Sequence, residues 1–176
     1  MKVIGITGGV GAGKTQILEY LNNKYGATIC QADAVGKKLQ KKGTECFDAI
    51  VAHFGTEILD AKGELDREKL ADIVFSDKVE LSVLNSIVHP AVKEEIYKNI
   101  AKEERKNTNL FILESAILIE DHYEEICDNM YRFSPFIIDA SIMLTTHGTN
   151  ERCPIEQLDV AVSFFKRYIK EMTDKA

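Results

Sequence analysis

The chain has no excess of positive charge, no closely paired cysteines and no apolar run long enough to span a membrane. Each absence closes off a class of function. Its 28 acidic residues outnumber its 22 lysines and arginines, giving a formal charge of -6 and a pI near 5.3. Such a surface repels polyanions, so neither nucleic acid nor an anionic membrane is an expected partner, although a local basic pocket for phosphates is compatible with it. Cys30, Cys46, Cys127 and Cys153 are widely spaced, without a Cys-x-x-Cys pair or a nearby histidine at finger spacing. Neither a zinc site nor a disulfide framework follows, and reduced, mostly buried thiols are the simpler reading. The first residues carry one lysine and then an apolar run broken by glycines, which fits neither a secretory signal nor a spanning helix and predicts a cytoplasmic protein. With no internal repeat and no low-complexity linker, the 176 residues suit one α/β-sized domain, with room for a small insertion.

What is present is concentrated near the start. Gly8-Gly9-Val10-Gly11-Ala12-Gly13-Lys14-Thr15 follows the apolar run Lys2-Val3-Ile4-Gly5-Ile6 and precedes a helical pattern. Glycines at this spacing let successive backbone N–H groups converge on phosphate oxygens, where no side chain could fit. In such a loop Lys14 reaches the β and γ oxygens, the Thr15 hydroxyl ligates Mg²⁺, and the N-terminus of the following helix adds partial positive charge. The bland reading is a glycine-rich turn, but a chance match in a chain this long has a probability below about one in a hundred. A nucleotide-binding loop is therefore expected. Guanine specificity is not, because no Asn-Lys-x-Asp segment is present.

The spacing of Ile17, Leu18 and Leu21 predicts a helix from Lys14 that stops at Gly26, and Ala27-Thr28-Ile29-Cys30 reads as a second strand. A strand-helix-strand unit favours parallel pairing of its two strands. Asp33 follows at the carboxyl end of the second strand, where ligands gather in such sheets; its alternative role is to cap a helix beginning near Ala34. Helices are expected over 34–42, 44–54, 66–75 and 79–103, punctuated by Gly43, by Gly55 to Gly63 and by Ser76-Asp77. Arg67 and His89 sit within this run, each readable as an ordinary surface or structural residue. A third buried strand, Leu110-Phe111-Ile112-Leu113, ends at Glu114, which can hold Mg²⁺ through water, orient substrate or cap the next turn; Glu120 reads as the start of a solvated acidic run. Further on, Phe136-Ile137-Ile138 and Ile142-Met143-Leu144 are weak strand candidates, Thr145 to Pro154 a loop, and Pro154 to Met172 an amphipathic helix. The expected class is α/β: a three-layer parallel sheet of the P-loop NTPase type with a helical insertion for substrate. The chain is read as one P-loop domain, with core 1–33 and 106–176 and insertion 34–105.

With these residues assembled, the chain resembles the dephospho-CoA kinase family. The resemblance rests on Thr7 through Thr15, Gln31-Ala32-Asp33-Ala34-Val35, Phe54-Gly55, Ile58-Leu59-Asp60, Gly63-Glu64-Leu65-Asp66-Arg67, Val74-Phe75, Leu84-Asn85, His89-Pro90 and Leu118-Ile119-Glu120. These segments stand in the family's order and cover about residues 1–130. The resemblance implies that Gly8, Gly9, Val10, Gly11, Ala12, Gly13, Lys14, Thr15 and Gln16 bind ATP, with Mg²⁺ on Thr15. It further implies that Thr7 lies beside the transferred phosphate and that Asp33 accepts or orients the proton of the attacking ribose 3′-hydroxyl of dephospho-CoA. Arg67, His89 and Glu114 are implied to lie near that substrate, a small molecule and the expected partner.

Three departures mark this chain. Gln31 stands where the family often has Asp, and Ala116 where Pro is usual. Beyond about Asn129 the family's arginine-bearing lid is not reproduced, and the only arginines remaining are Arg132, Arg152 and Arg167. A transition-state arginine can contribute about a thousandfold in rate. Two alternatives therefore stand beside the kinase: a catalytically weak relative that binds ATP or CoA-like ligands, and a different P-loop small-molecule kinase.

Overall fold

The computed structural model describes residues 1–9 and 14–133. The chain divides into two compact units, one made of Met1–Ile29 and Asn109–Ala176, the other of Cys30–Thr108. The two late strand candidates, the loop from Thr145, the helix from Pro154 and Cys153 lie outside the described residues.

In the first unit, strand β1 (Lys2–Gly8) is buried along its interior and has a parallel neighbour on each side. On one side β3 (Leu110–Glu114) aligns Val3 with Phe111 and Ile6 with Glu114; on the other β4 (Asn129–Phe133) aligns Ile4 with Asn129 and Thr7 with Arg132. With β2 (Thr28–Gln31) the sheet order is β2-β3-β1-β4. Alternation then assigns the faces. Ile4, Ile6, Leu110 and Ile112 join Ile17, Leu18 and Leu21 of helix α1 (Lys14–Tyr25), with Tyr131 packed against them. On the opposite face, a methyl group at Gly5 would lie 2.9 Å from Cys127 Sγ, 2.9 Å from Leu118 Cδ2 and 3.1 Å from Met130 Cγ. Helix α1 ends at Gly26, whose φ of 62° suits a left-handed stop and whose N–H donates to Asn22 O at 2.9 Å.

Two expectations are corrected here. The first and second strands do not pair, because β3 lies between them. The two most continuously buried strands, β1 and β3, take the inner places, and β2, partly exposed, goes to the edge. Strand β4 precedes the strand candidates read from the sequence, which began at Phe136. Its sequence, Asn-Met-Tyr-Arg-Phe, follows an acidic run and has no continuous apolar stretch, so the local pattern is weak. Tertiary pairing supplies what the pattern lacks: the Asp128 carboxylate accepts from Val3 N–H at 2.7 Å while Asp128 N–H donates to Val3 O at 2.9 Å. The ladder thus starts one residue before the strand.

The second unit contains helices α2 (Ala32–Leu39), α3 (Glu45–Phe54), α4 (Arg67–Ser76) and α5 (Lys78–Arg105), close to the predicted intervals. Side-chain oxygens begin three of them: Thr44 accepts from Phe47 N–H, Asp66 from Glu68 and Lys69 N–H, and Asp77 from Val79 N–H. Helix α2 begins two residues earlier than predicted, with Gln31 at its N-cap position and no side-chain cap. Asp33 is thus an exposed first-turn residue rather than the cap. The core here is Cys46, Ile50, Phe54, Ile58, Leu70 and Val74. Helix α5 runs uninterrupted through Pro90.

A small turn connects α3 to α4. Asp60 Oδ1 accepts from Lys62 N–H at 2.8 Å and Glu64 N–H at 2.9 Å, closing a reversal across which Leu59 and Leu65 bridge antiparallel. The Glu64 and Lys62 N–H groups, in that order, hold the Asp60 carboxyl below its ordinary range.

Two outcomes follow from these packing and turn contacts. Gly5→Ala should lower unfolding stability by about 1–3 kcal/mol, measured by urea denaturation, since three neighbours must give way; unchanged stability would mean the contact is slack. Because the Asp60 carboxyl is depressed in the folded chain, its contribution is complete above the unfolded carboxylate range and fades as pH falls through the folded value. Wild type should therefore lose stability relative to Asp60→Ala on acidification below about pH 4, and parallel pH curves for the two would contradict this.

Candidate functional site

The sheet order determines where a ligand can sit. From β1 the chain passes to β2 on the β3 side, whereas from β3 it passes to β4 on the other side. The neighbouring carboxyl ends of β1 and β3 therefore form a topological switch point, the usual ligand crevice of an open parallel sheet. The glycine loop starts there, since Gly8 ends β1 with φ of 148°, a conformation that side chains rarely adopt.

Lys14, the first residue of α1, turns its ammonium group onto this point. Nζ donates to Gly8 O at 2.5 Å and to Gly9 O at 2.9 Å and lies 3.7 Å from the Glu114 carboxylate at the end of β3. Two of the three ammonium donors are thus engaged by backbone carbonyls, and the carboxylate attracts the charge across a longer gap. The pair is largely withdrawn from water, with side chains 16% and 12% exposed, so its attraction is less screened than that of a surface pair. Thr7 is buried and donates its hydroxyl to Ala116 O at 3.3 Å. Ser115, buried beside it, accepts from Ile117 N–H at 3.2 Å. The turn after β3 is thus shaped by Ser115, while the Glu114 carboxylate faces Lys14. Thr15 and Gln16 are exposed in the first turn of α1. Val10, Gly11, Ala12 and Gly13 lie outside the described residues.

The structure brings together Thr7, Gly8, Gly9, Lys14 and Glu114 within the first unit. Asp33, Arg67 and His89 belong to the second. There Arg67 opens α4 and is exposed, directly after the Asp66 cap, and His89 is half-buried within α5. One placement escaped the sequence reading: β4 sets Arg132, exposed, in register with Thr7. Only the pairing of β4 could reveal it.

Thiol chemistry has no support at these positions. Burial, then Glu95, pushes the Cys30 thiol up to about 11, and burial, then Asp128 and Glu124, does the same for Cys127. Burial also raises Cys46. These groups stay protonated near neutrality, Cys30 and Cys46 being buried and Cys127 half-buried. Among the described residues no cluster of three or more His, Cys, Asp or Glu could hold a metal, and no helix is long and apolar enough to cross a membrane.

The chain matches the family model for dephospho-CoA kinase over residues 2–140. It is 39% identical over 150 residues to a dephospho-CoA kinase of Idiomarina loihiensis, covering 85% of this chain and 70% of that relative. A dephospho-CoA kinase of Mannheimia succiniciproducens is 33% identical over 161 residues, with 89% and 71% covered. Among solved structures, dephospho-CoA kinase from Campylobacter jejuni superposes with a TM-score of 0.65 at 20% identity, over 100% of this chain and 86% of that one. TT1252 from Thermus thermophilus gives a TM-score of 0.64 at 22% identity, over 95% and 97%. These two likenesses support the fold.

Replacing Thr7 by valine keeps the side-chain shape and removes the hydrogen bond to Ala116. Stability should fall by about 1 kcal/mol in urea unfolding with an unchanged m-value. No change would show that this hydroxyl does not hold the turn after β3.

Proposed function

Because the chain belongs to the dephospho-CoA kinase family, we propose that it transfers the γ-phosphoryl group of ATP to the ribose 3′-hydroxyl of dephospho-CoA, giving CoA and ADP. The observation that carries this reading is the meeting of the Lys14 ammonium and the Glu114 carboxylate at the switch point where the glycine loop begins. That is the place and the chemistry required to hold a nucleotide triphosphate.

In this reading residues 8–15 and Gln16 wrap the phosphates of ATP with backbone N–H groups. Lys14 exchanges its contacts with Gly8 O and Gly9 O for phosphate oxygens, which are stronger acceptors for an ammonium. Thr7 lies beside the transferred group. The donor set fits Mg²⁺, an ion that takes hard oxygens and binds through one or two protein groups together with phosphates and water. Thr15 would hold it, with Glu114 reaching it through water. When bound, the ion neutralises charge on the β and γ phosphates.

Asp33, exposed in the first turn of α2, accepts the proton of the 3′-hydroxyl as its oxygen bonds to the γ phosphorus. The bond from that phosphorus to the bridging oxygen of ADP breaks as the new one forms. Arg67 and His89 bind the acceptor. Phosphoryl transfer asks mainly for positioning and charge neutralisation, so one carboxylate and one ammonium account for much of the required chemistry.

A coupled assay with ATP, Mg²⁺ and dephospho-CoA tests this directly. Turnover should fall by about a hundredfold or more in Lys14→Ala and in Asp33→Ala. Equal product from all three proteins would remove both residues from the mechanism. Binding of both ligands without product in wild type would favour the weak relative over the kinase.

A further inference from the structure

A second cationic feature lies apart from the phosphate loop. Lys37, Lys38, Lys41 and Lys42 fall within six positions of a chain whose formal charge is -6, and all four are exposed. Their ammonium groups pair with no carboxylate among the described residues, whereas Lys69, Lys98 and Lys106 of the same unit pair with Asp66, Glu94 and Glu103 at 3.5, 2.7 and 2.6 Å. The dipole of α2 accounts for cations at Lys37 and Lys38 in its last turn. It does not account for Lys41 and Lys42, which lie beyond the helix, and clustered like charges repel one another.

Two features tie this cluster to the acceptor side of the reaction. Lys37 lies four residues after Asp33, so both stand on one flank of α2, beside the buried stripe of Ala32 and Gly36. Lys42 is held at the turn that leads into Arg67: its N–H donates to Glu64 Oε2 at 3.3 Å, and its ammonium lies over Gly63, 2.9 Å from where a methyl group there would sit. The cluster thus runs from the flank of the proposed base to the base of the helix that Arg67 opens.

We propose that Lys37, Lys41 and Lys42 bind the pyrophosphate of the acceptor nucleotide. This rests on the kinase reading above, in which Asp33 meets the ribose hydroxyl of the same molecule. An acceptor that carries its phosphates beside the reacting ribose needs cations near the base but outside the ATP loop, and exposed lysines with no carboxylate partner meet that need without breaking an existing ion pair.

The test uses the full chain, with Lys37→Gln and the double variant Lys41→Gln/Lys42→Gln. Calorimetry measures binding of dephospho-CoA, of adenosine, which has the ribose but no phosphate, and of inorganic pyrophosphate. Dephospho-CoA and pyrophosphate affinities should fall about tenfold in each variant, while adenosine and ATP affinities stay unchanged. Loss of dephospho-CoA and adenosine affinity in parallel, or no loss for pyrophosphate, would overturn the proposal. The two readings fail separately. Lysine-dependent pyrophosphate binding without product from dephospho-CoA would sink the kinase reading alone, and normal turnover with lysine-independent binding would sink this one alone.

Discussion

A buried strand in the middle of a sheet must be paired on both edges, because an unpaired N–H or C=O away from water costs about as much as a lost hydrogen bond. In this protein that requirement falls on β1. It draws β3 to one side and β4 to the other, and the chain must then leave β1 and β3 in opposite directions. The crevice at their carboxyl ends follows from that division. Gly8, Lys14 and Glu114 meet there because the sheet order brings their elements to one point. The face of β1 away from α1 has its own demand, since Gly5 leaves room for Leu118, Cys127 and Met130. The connection from β3 to β4 packs there, and it carries the Asp128 latch that starts β4.

The helical unit is organised by carboxylates acting on backbone. Asp60 closes the turn before α4, Asp66 caps α4, and Asp77 caps α5. Each of these side chains accepts from N–H groups that otherwise lack a partner. Arg67 owes its place to this arrangement: the turn and the cap together determine where α4 begins, and the guanidinium emerges at its first residue. Charge that could be read as ordinary acidic surface is therefore part of the scaffold. Lys37, Lys38, Lys41 and Lys42, in and just after α2, stand out against it, because Lys69, Lys98 and Lys106 of the same unit pair with carboxylates three or four residues away.

Much of this was legible from local patterns. The glycine loop, α1 with its stop at Gly26, the four helices between Ala32 and Arg105 and the strand ending at Glu114 all have apolar periodicity or punctuation residues that act over a few positions. The membership in a kinase family was legible for a related reason, since the matched segments are short and mostly coincide with turns, caps and strand ends. Strand β4 was not legible, because Asn129 to Phe133 is stabilised by pairing with β1 rather than by its own composition. Asp33 was placed at the right strand end but given the wrong alternative role. A helix start depends on which backbone N–H groups find partners, and α2 starts without a side-chain cap.

What the sequence determined alone was the set of chemical groups and the local elements that carry them: a glycine loop, a lysine and a hydroxyl after it, carboxylates at strand ends, and a run of helices between the second and third strands. What only the tertiary structure decided was which of these groups share a location. Strand order is a long-range property, set by which strands can be buried between neighbours, and no local spacing encodes that β3 rather than β2 lies beside β1. That choice places Glu114 against Lys14, and the pairing of β4 on the other side of β1 sets Arg132 in register with Thr7, so the surroundings of the glycine loop were settled by the pairing of the sheet.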